Sequence, residues 1–241
     1  MPALVVARFL VDRPIRPGMV RAILDTLTAQ GGAYLPQLVH GSPDDSLRRL
    51  TGGRSPQLLD DVAAGGTHTT FMRVSESLPQ PVLSFSVSET PRRHPTRVTL
   101  TIPGDALREG EEIDRMLGVC KGLYLFLESV WGAAGYPDPP DTTPLVQWAN
   151  FLGPELVSRT GPARLLTSMA FMVEILPDGG VMLVTHPSPD LSAGPEGVAF
   201  RIDLARTLGF DGSVVGGQDP FQPDAARAKS APPRLRVPPT D

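Results

Sequence analysis

Two side chains in the second half of the chain have the types and the spacing of an acid–base pair. His186 and Asp190 stand four residues apart in the stretch PDGGVMLVTHPSPDL, residues 177–191. A carboxylate that accepts a hydrogen bond from an imidazole would orient the ring for proton transfer. No nucleophile accompanies the pair, and Pro187 and Pro189 stiffen the segment. We therefore interpret the stretch as a strand with its exit rather than as a catalytic site.

Three further residues are candidates for chemistry. His68 follows two glycines at the start of an expected strand, with hydroxyl groups beside it. Ser168 and Cys120 lie in apolar surroundings, and a single cysteine excludes both an intrachain disulfide and a cysteine-based zinc site within the chain. We interpret His68 as a residue of a solvent-facing strand, Ser168 as a core or helix-end hydroxyl, and Cys120 as a buried thiol. The sequence therefore predicts no catalytic residue.

The familiar cofactor and nucleophile motifs are absent from the sequence. It contains no G-x-x-x-x-G-K-[ST] loop for phosphates, no G-x-G-x-x-G before a helix and no G-x-S-x-G nucleophile turn. The histidines lack the H-x-H or H-x-x-x-H spacing of metal ligands; they are His40, His68, His94 and His186. We therefore expect no cofactor and no metal ion.

Composition and charge place the chain among ordinary globular proteins. Of its 241 residues 41% are hydrophobic and 20% are charged, and the net charge is −4. That charge supplies no general attraction for nucleic acid or for an anionic membrane. The first residues, MPALVVARFLVDRP, lack the pattern of a secretion signal, and no run of about 18 apolar residues occurs. We expect a soluble, cytoplasmic protein that binds neither nucleic acid nor membrane.

The sequence of the first half of the chain predicts several strands followed by one long helix. An apolar strand is expected at residues 3–11, and residues 67–75, 81–89 and 96–104 follow as a three-strand antiparallel meander. The longest helix is predicted at residues 111–131, with an apolar stripe for the core. That stripe consists of Ile113, Met116, Leu117, Cys120, Leu123, Tyr124, Leu127 and Trp131.

The second half adds a hairpin, shorter helices and a tail. Residues 169–189 read as strand, turn and strand, and residues 196–210 as an amphipathic segment with Val198, Ile202, Ala205 and Leu208 on one face. These patterns predict an α+β fold in which an antiparallel sheet packs against a long core helix and shorter helices. Residues 1–210 are the expected single domain. Residues 211–241 are the expected Pro-rich flexible tail, since their composition cannot build a core.

Four segments in the second half resemble, in order, the layout of a known family. They are YLFLESVWGAAGY, VQWANFLGPELVSRTG, DGGVMLVTHPSPDL and GVAFRIDLARTLGF, and the resemblance covers roughly residues 110–210. Its residues are Trp148, Asn150, Gly153, Gly161, Gly179, Gly180, Pro187 and Pro189. The layout is similar to that of the bacterial type VI immunity family, formerly a domain of unknown function, and more loosely to the immunity-protein-52 group of polymorphic toxin systems. The resemblance implies a non-enzymatic α+β protein that binds and neutralises a cognate toxin from the same locus.

A binding protein of this kind would use exposed side chains to bind its protein partner. Charge complementarity steers such encounters, so we predict that acids of the two Pro-rich loops, Asp138 and Asp141 together with Asp190 and Glu196, contact the toxin. A hydrolase or transferase whose site gathers His68, His186 and Asp190 is one alternative. A scaffold component that docks through its Pro-rich basic tail is another. A toxin gene immediately upstream would favour the immunity hypothesis.

Overall fold

An antiparallel sheet runs through the part of the chain that the computed structural model describes, residues 3–29, 34, 38–40, 48–49, 69–73, 81–88, 90–92, 94–108, 110–137 and 146–210. Its strands are β1 (Leu4–Val11), β2 (Leu38–His40), β3 (Arg48–Arg49), β4 (Thr69–Arg73), β5 (Val82–Ser86), β6 (Thr96–Pro103), β7 (Trp131–Gly135), β8 (Ala149–Leu152), β9 (Met172–Ile175) and β10 (Val181–Val184). They lie in the order β3-β2-β4-β5-β6-β1-β7-β8-β10-β9, and all neighbours are antiparallel. The predicted meander is β4-β5-β6.

The helices divide between the two faces of this sheet. They are α1 (Pro17–Ala29), a 3-10 helix (Gly104–Leu107), α2 (Gly110–Phe126), α3 (Pro154–Thr160), α4 (Pro162–Leu166), α5 (Pro189–Ala193) and α6 (Pro195–Leu208). The first core joins α1 and α2 to one face of the sheet, and it includes Met182 and Val184 of β10. The second core joins α3, α4 and α6 to the other face, and it includes Val181 and Leu183. The predicted α+β class, with a sheet packed on a long core helix and shorter helices, is confirmed.

The second face is covered only towards one end of the sheet. In β1 the side chains of Val5, Ala7, Phe9 and Val11 are fully buried, whereas Arg8 between them is exposed. All four residues of β10 are buried, as are all four of β8. Successive side chains point to opposite faces. The second face of β1 is therefore exposed at Leu4 and Arg8, half-buried at Val6 and buried at Leu10, whereas β10 is buried on both faces. The helices α3, α4 and α6 therefore pack on this face where β8 and β10 lie, and α5 lies against β7.

The long helix is shorter than its apolar stripe predicted. It ends at Phe126, and Glu128 adopts a left-handed backbone with φ of 49°. The amide of Ser129 then donates to the carbonyl of Tyr124 at 3.0 Å, which closes the helix end. Trp131 belongs to β7 instead of the helix, and it pairs with Leu10 of β1. The prediction of a helix through residue 131 was wrong. The helix ends with Glu128 in a left-handed conformation, a position where glycine is usual and would have been visible in the sequence.

The end of the described chain also differs from the sequence interpretation. Residues 189–193 form α5, with Pro189 as its first residue and the Ser188 hydroxyl accepting from the amide of Leu191 at 3.3 Å. The predicted apolar face of the last segment is displaced around the helix axis. Val198 and Ile202 are half-buried, whereas the buried residues of α6 are Gly197, Arg201, Leu204, Ala205 and Leu208.

No helix among the described residues is both long enough and apolar enough to span a membrane. Residues 211–241, which the sequence predicts to be a tail, lie outside the described residues.

Candidate functional site

The structure directs His186 and Asp190 to different partners. His186 follows β10, and its Nδ1 lies 3.0 Å from Oγ1 of Thr185. Asp190 stands in α5, where its Oδ1 accepts a hydrogen bond of 2.7 Å from the hydroxyl of Tyr136. The hydrogen bond that would orient the imidazole through this carboxylate is replaced by these two contacts. This placement agrees with the interpretation of the stretch as a strand and its exit.

His186 makes its main ring contact with an aromatic side chain. The ring meets Phe200 of α6 edge-on, with 5.1 Å between the ring centroids. Burial and the positive charge of Arg201 hold the pKa of His186 below its usual value. A neutral imidazole suits this contact, because it can pack on Phe200 without the cost of a buried charge. His186 therefore joins the end of β10 to α6.

A buried arginine holds α6 against the chain that enters β8. Arg201 is 2% exposed. Its Nε donates to the carbonyl of Ser192 at 3.1 Å, and its Nη1 donates to the carbonyl of Val146 at 3.3 Å. The same Nη1 lies 3.4 Å from Oε1 of Gln147. Carbonyl and amide oxygens thus satisfy a charge that would otherwise be costly to bury, and they connect three segments distant in sequence.

Hydroxyl groups extend this network to the start of α5. Thr185 Oγ1 lies 3.2 Å from the Ser192 hydroxyl and 3.2 Å from the carbonyl of Trp148. The indole of Trp148, which is 1% exposed, donates to the carbonyl of His186 at 3.0 Å. Buried, satisfied polar groups of this kind hold their elements in one arrangement. The exposed side chains of α5 consequently stand on a fixed base.

Acidic and apolar residues flank the contact between Tyr136 and Asp190. Tyr136 is half-buried, while Asp105, Asp190 and Leu191 are exposed, Leu191 by 58%. Burial, the hydrogen bond to Asp190 and the charges of Asp190 and Asp105 raise the pKa of Tyr136 to about 12, against a smaller opposing effect of the exposed Arg108. Both carboxylates therefore act on a single phenol. We call Asp105, Tyr136, Asp190 and Leu191 the acidic surface.

The local chain shape explains why Tyr136 reaches this position. Gly104 begins the 3-10 helix after β6, and a Cβ there would overlap the Tyr136 hydroxyl. A glycine is thus required where the phenol ring crosses the end of β6. Tyr136 itself follows β7, next to Gly135. Sequence reasoning missed Tyr136, although an aromatic residue directly before the acidic Pro-rich loop was a usable signal.

The four predicted partner-binding acids have different outcomes. Asp190 belongs to the acidic surface, and Glu196 is exposed in the first turn of α6. Asp138 and Asp141 lie outside the described residues. The described residues before the first predicted acidic loop end at Pro137, directly after Tyr136.

The other candidates for chemistry are placed as follows. Cys120 is fully buried, which raises the pKa of its thiol, so the prediction of a buried thiol is confirmed. Ser168 follows α4, with its amide donating to the carbonyl of Leu165 at 3.2 Å, as a helix-end residue does. His68 lies outside the described residues. Within the described ranges, no three His, Cys, Asp or Glu side chains gather where they could hold a metal ion.

Residues that carry the family resemblance occupy structural positions. Asn150 closes the turn before β8, accepting from the amide of Gln147 at 2.8 Å and donating to its carbonyl at 2.9 Å. A Cβ at Gly153 would lie 2.8 Å from the carbonyl oxygen of Val130. Gly179 takes a φ of 85° in the turn between β9 and β10. These residue types are therefore required by the backbone and the core.

Comparisons with known proteins give a fold and no family. No protein-family model matches the chain, and no curated protein matches its sequence. Among solved structures, a Pseudomonas aeruginosa protein titled "T6SS protein PA0821" superimposes with a TM-score of 0.63. The two share 12% sequence identity, over 86% of this chain and 73% of that one. At such low identity the likeness shows a common fold alone.

Proposed function

We propose that the protein is a non-enzymatic immunity protein, which binds a cognate bacterial toxin and neutralises it in the cytoplasm. The observation that carries this proposal is the acidic surface, where Asp190 accepts a hydrogen bond from Tyr136, Asp105 acts on the same phenol through its charge, and Leu191 is exposed next to Asp190. Aromatic and aliphatic anchors within a charged rim are typical of protein-binding sites. The shared fold with a protein titled as part of a type VI secretion system (T6SS), and the resemblance in residues 110–210, support a toxin-delivery context.

The charge of this surface indicates the chemistry of its partner. Asp105 and Asp190 would attract lysine and arginine side chains, and the net charge of −4 adds to that attraction at long range. Tyr136 is held by Asp190 before any partner arrives, so little side-chain entropy is lost on binding. Asp138 and Asp141 would widen the acidic surface from the adjoining loop. We therefore expect the toxin to present a basic patch that surrounds an apolar recess.

Binding to the toxin encoded next to this gene tests the proposal. Replacing Leu191 by Ser should raise the Kd at least about tenfold, because it removes an anchor from the middle of the interface. The double variant Asp105→Asn/Asp190→Asn should slow association about tenfold at 50 mM NaCl and much less at 500 mM. Surface plasmon resonance gives both constants. Protection of cells that express the toxin should fall in parallel.

Asp203→Asn is the matched control for charge. Asp203 is exposed on α6, pairs with Arg206 at 3.1 Å and is not one of the acidic-surface residues, so its replacement should leave Kd and association unchanged. A His68→Ala/His186→Ala variant should also protect cells, whereas loss of protection in a folded variant would favour the hydrolase or transferase hypothesis. Failure of the wild-type protein to bind the toxin, or equal binding by all variants, would contradict the proposal.

A further inference from the structure

A patch of exposed apolar side chains lies at the opposite end of the β8–β10 region from β7. Among the described residues, seven large apolar side chains are exposed, and four of them fall between positions 166 and 175. These four are Leu166 (49%), Met169 (82%), Phe171 (61%) and Ile175 (62%). Isolated exposed apolar residues are ordinary, but a cluster marks a surface that another group covers. We call these four residues the edge patch.

The edge patch borders a free strand edge. In the described part of the chain β9 is the last strand of the sheet, and β10 is its neighbour. The amide of Leu176 donates to the carbonyl of Gly180 at 2.8 Å, so by antiparallel alternation Met172 and Glu174 also bond towards β10. The amides of Val173 and Ile175 then point outward. An apolar edge with unpaired amides is a site for strand addition.

The side chains on this edge show which face is uncovered. Glu174 faces α2, where it forms an ion pair of 2.9 Å with Lys121, and Met172 packs on the first core. Val173 packs on the second core, on the side of α3, α4 and α6. Phe171 and Ile175 share the side of Val173 by strand alternation. The exposed part of the edge patch thus continues the face over which α6 packs.

The described chain ends on that same face. Phe210 follows α6 and packs on the second core together with Val173. A Cβ at Gly209 would lie 3.3 Å from Nη1 of Arg164 in α4, only two residues before Leu166. Thirty-one residues, 211–241, follow this point in the sequence. Five of them in extended form span about 17 Å, whereas neighbouring strands lie about 4.8 Å apart.

The first part of this segment has the composition that the edge patch requires. In DGSVVGGQDPFQP, residues 211–223, Val214 and Val215 are β-branched, and Phe221 is the segment's aromatic residue. Gly216 and Gly217 would end a short strand directly after the two valines. The later residues, 224–241, contain only Leu235 and Val237 as large apolar side chains. The large apolar side chains of residues 211–241 are therefore concentrated in the part of the segment that directly follows Phe210.

We propose that residues 213–215 add a strand to the free edge of β9, with Val215 on the face of Phe171 and Ile175 and Val214 on the opposite face, and that Val215 and Phe221 cover the edge patch. A segment attached to the domain competes at an effective concentration in the millimolar range, which a second copy of the chain at micromolar concentration does not reach. This inference is independent of toxin binding, because the acidic surface and the edge patch share no residue.

Hydrogen exchange of single amides, followed by NMR on the full-length chain, tests the inference. In the wild type at 50 μM, the amides of Val173 and Ile175 should be protected like those of Met172 and Glu174. Val214→Asp/Val215→Asp should accelerate exchange at Val173 and Ile175 at least tenfold and leave Met172 unchanged. Val237→Asp is the matched control, with the same substitution 22 residues further along, and it should change none of these rates.

A cysteine pair gives a second readout that does not depend on exchange rates. Ile175→Cys/Val215→Cys should form an intrachain disulfide in the monomer under mild oxidation, and Ile175→Cys/Val237→Cys should not. Unprotected Val173 and Ile175 amides in the wild type, or protection that survives Val214→Asp/Val215→Asp, would overturn the inference. Protection that rises with protein concentration together with a dimer in sedimentation would also overturn it, in favour of a second copy at this edge.

Discussion

Glu128 occupies a backbone conformation that other residue types adopt more readily. Its φ of 49° lies in the left-handed region, where the side chain of an L-residue crowds the following carbonyl. Arg13 Nη1 bonds its carboxylate, and Arg16 Nη2 lies 3.6 Å from it. These ion pairs are exposed, so they offset little of the backbone cost. The apolar spacing of residues 111–131 gave no sign of this ending, because no glycine marks it.

A pair of substitutions isolates the backbone cost at this residue. Glu128→Ala and Glu128→Gly both remove the ion pairs with Arg13 and Arg16, and they differ in the ease with which they adopt a positive φ. Glu128→Gly should be more stable to urea than Glu128→Ala by about 1 kcal/mol. Equal stabilities for the two variants would show that residue 128 leaves the left-handed region in solution.

Buried polar side chains are the second feature that sequence reasoning did not find. Arg201 lies on the buried stripe of α6 with Gly197, Leu204 and Leu208, yet an arginine is ordinarily read as a surface residue. Its acceptor at Val146 is 55 positions away in sequence, so no local pattern could show that the charge would be satisfied. Tyr136 and Asp190 are similarly 54 positions apart. Only the pairing of distant strands brings them together.

Elements with a strong local signal were predicted, and elements that depend on distant partners were not. The hairpin of β9 and β10 follows from its apolar strands and the turn at Asp178 and Gly179, where the Asp178 carboxylate accepts from the amide of Gly180 at 2.9 Å. By contrast β7, with the sequence WGAAG, has little strand propensity of its own. Its small residues are needed because a Cβ at Gly132 would overlap the Phe9 ring of β1.

The contact between α5 and α6 depends on a single glycine. A Cβ at Gly197 would overlap the carbonyl oxygen of Leu191 and lie 2.7 Å from that of Ser192. Both atoms belong to the backbone and cannot turn away. Gly197→Ala should therefore destabilise the protein by about 1–3 kcal/mol through forced separation of the two helices. Urea unfolding measures this cost.

Gly110→Ala provides the comparison for a helical glycine. Gly110 opens α2, and an added Cβ would have no atom within 4 Å, so the substitution should change stability by less than about 0.5 kcal/mol. A small, equal effect at Gly110 and Gly197 would mean that α5 and α6 are farther apart in solution than in the structure.

At the scale of the whole molecule, the arrangement of strands is what local patterns leave open. β1 lies between β6 and β7 in the sheet, and β10 lies between β8 and β9. At both places the order of strands in the sheet differs from their order in the sequence. Alternating patterns identify a strand and its buried face, but they do not identify its neighbours. The same limit applies to the acidic surface, which joins the 3-10 helix, the end of β7 and α5. Its acids were predictable in part, whereas their common location was not.

The last eighteen residues should contribute little to the stability of the whole chain. Residues 224–241, DAARAKSAPPRLRVPPTD, contain four prolines and few apolar side chains, a composition that cannot build or extend a core. A chain that ends after Pro223 keeps Val214, Val215 and Phe221, and its Tm should lie within about 4 °C of the full-length value, or about 1 kcal/mol for a protein of this size. Circular dichroism or calorimetry at matched concentration measures the difference. In the chain that ends after Pro223, Val214→Asp/Val215→Asp should lower the Tm further, since it removes the proposed cover of the edge patch. A loss of more than about 10 °C from the truncation alone would show that residues 224–241 pack on the domain.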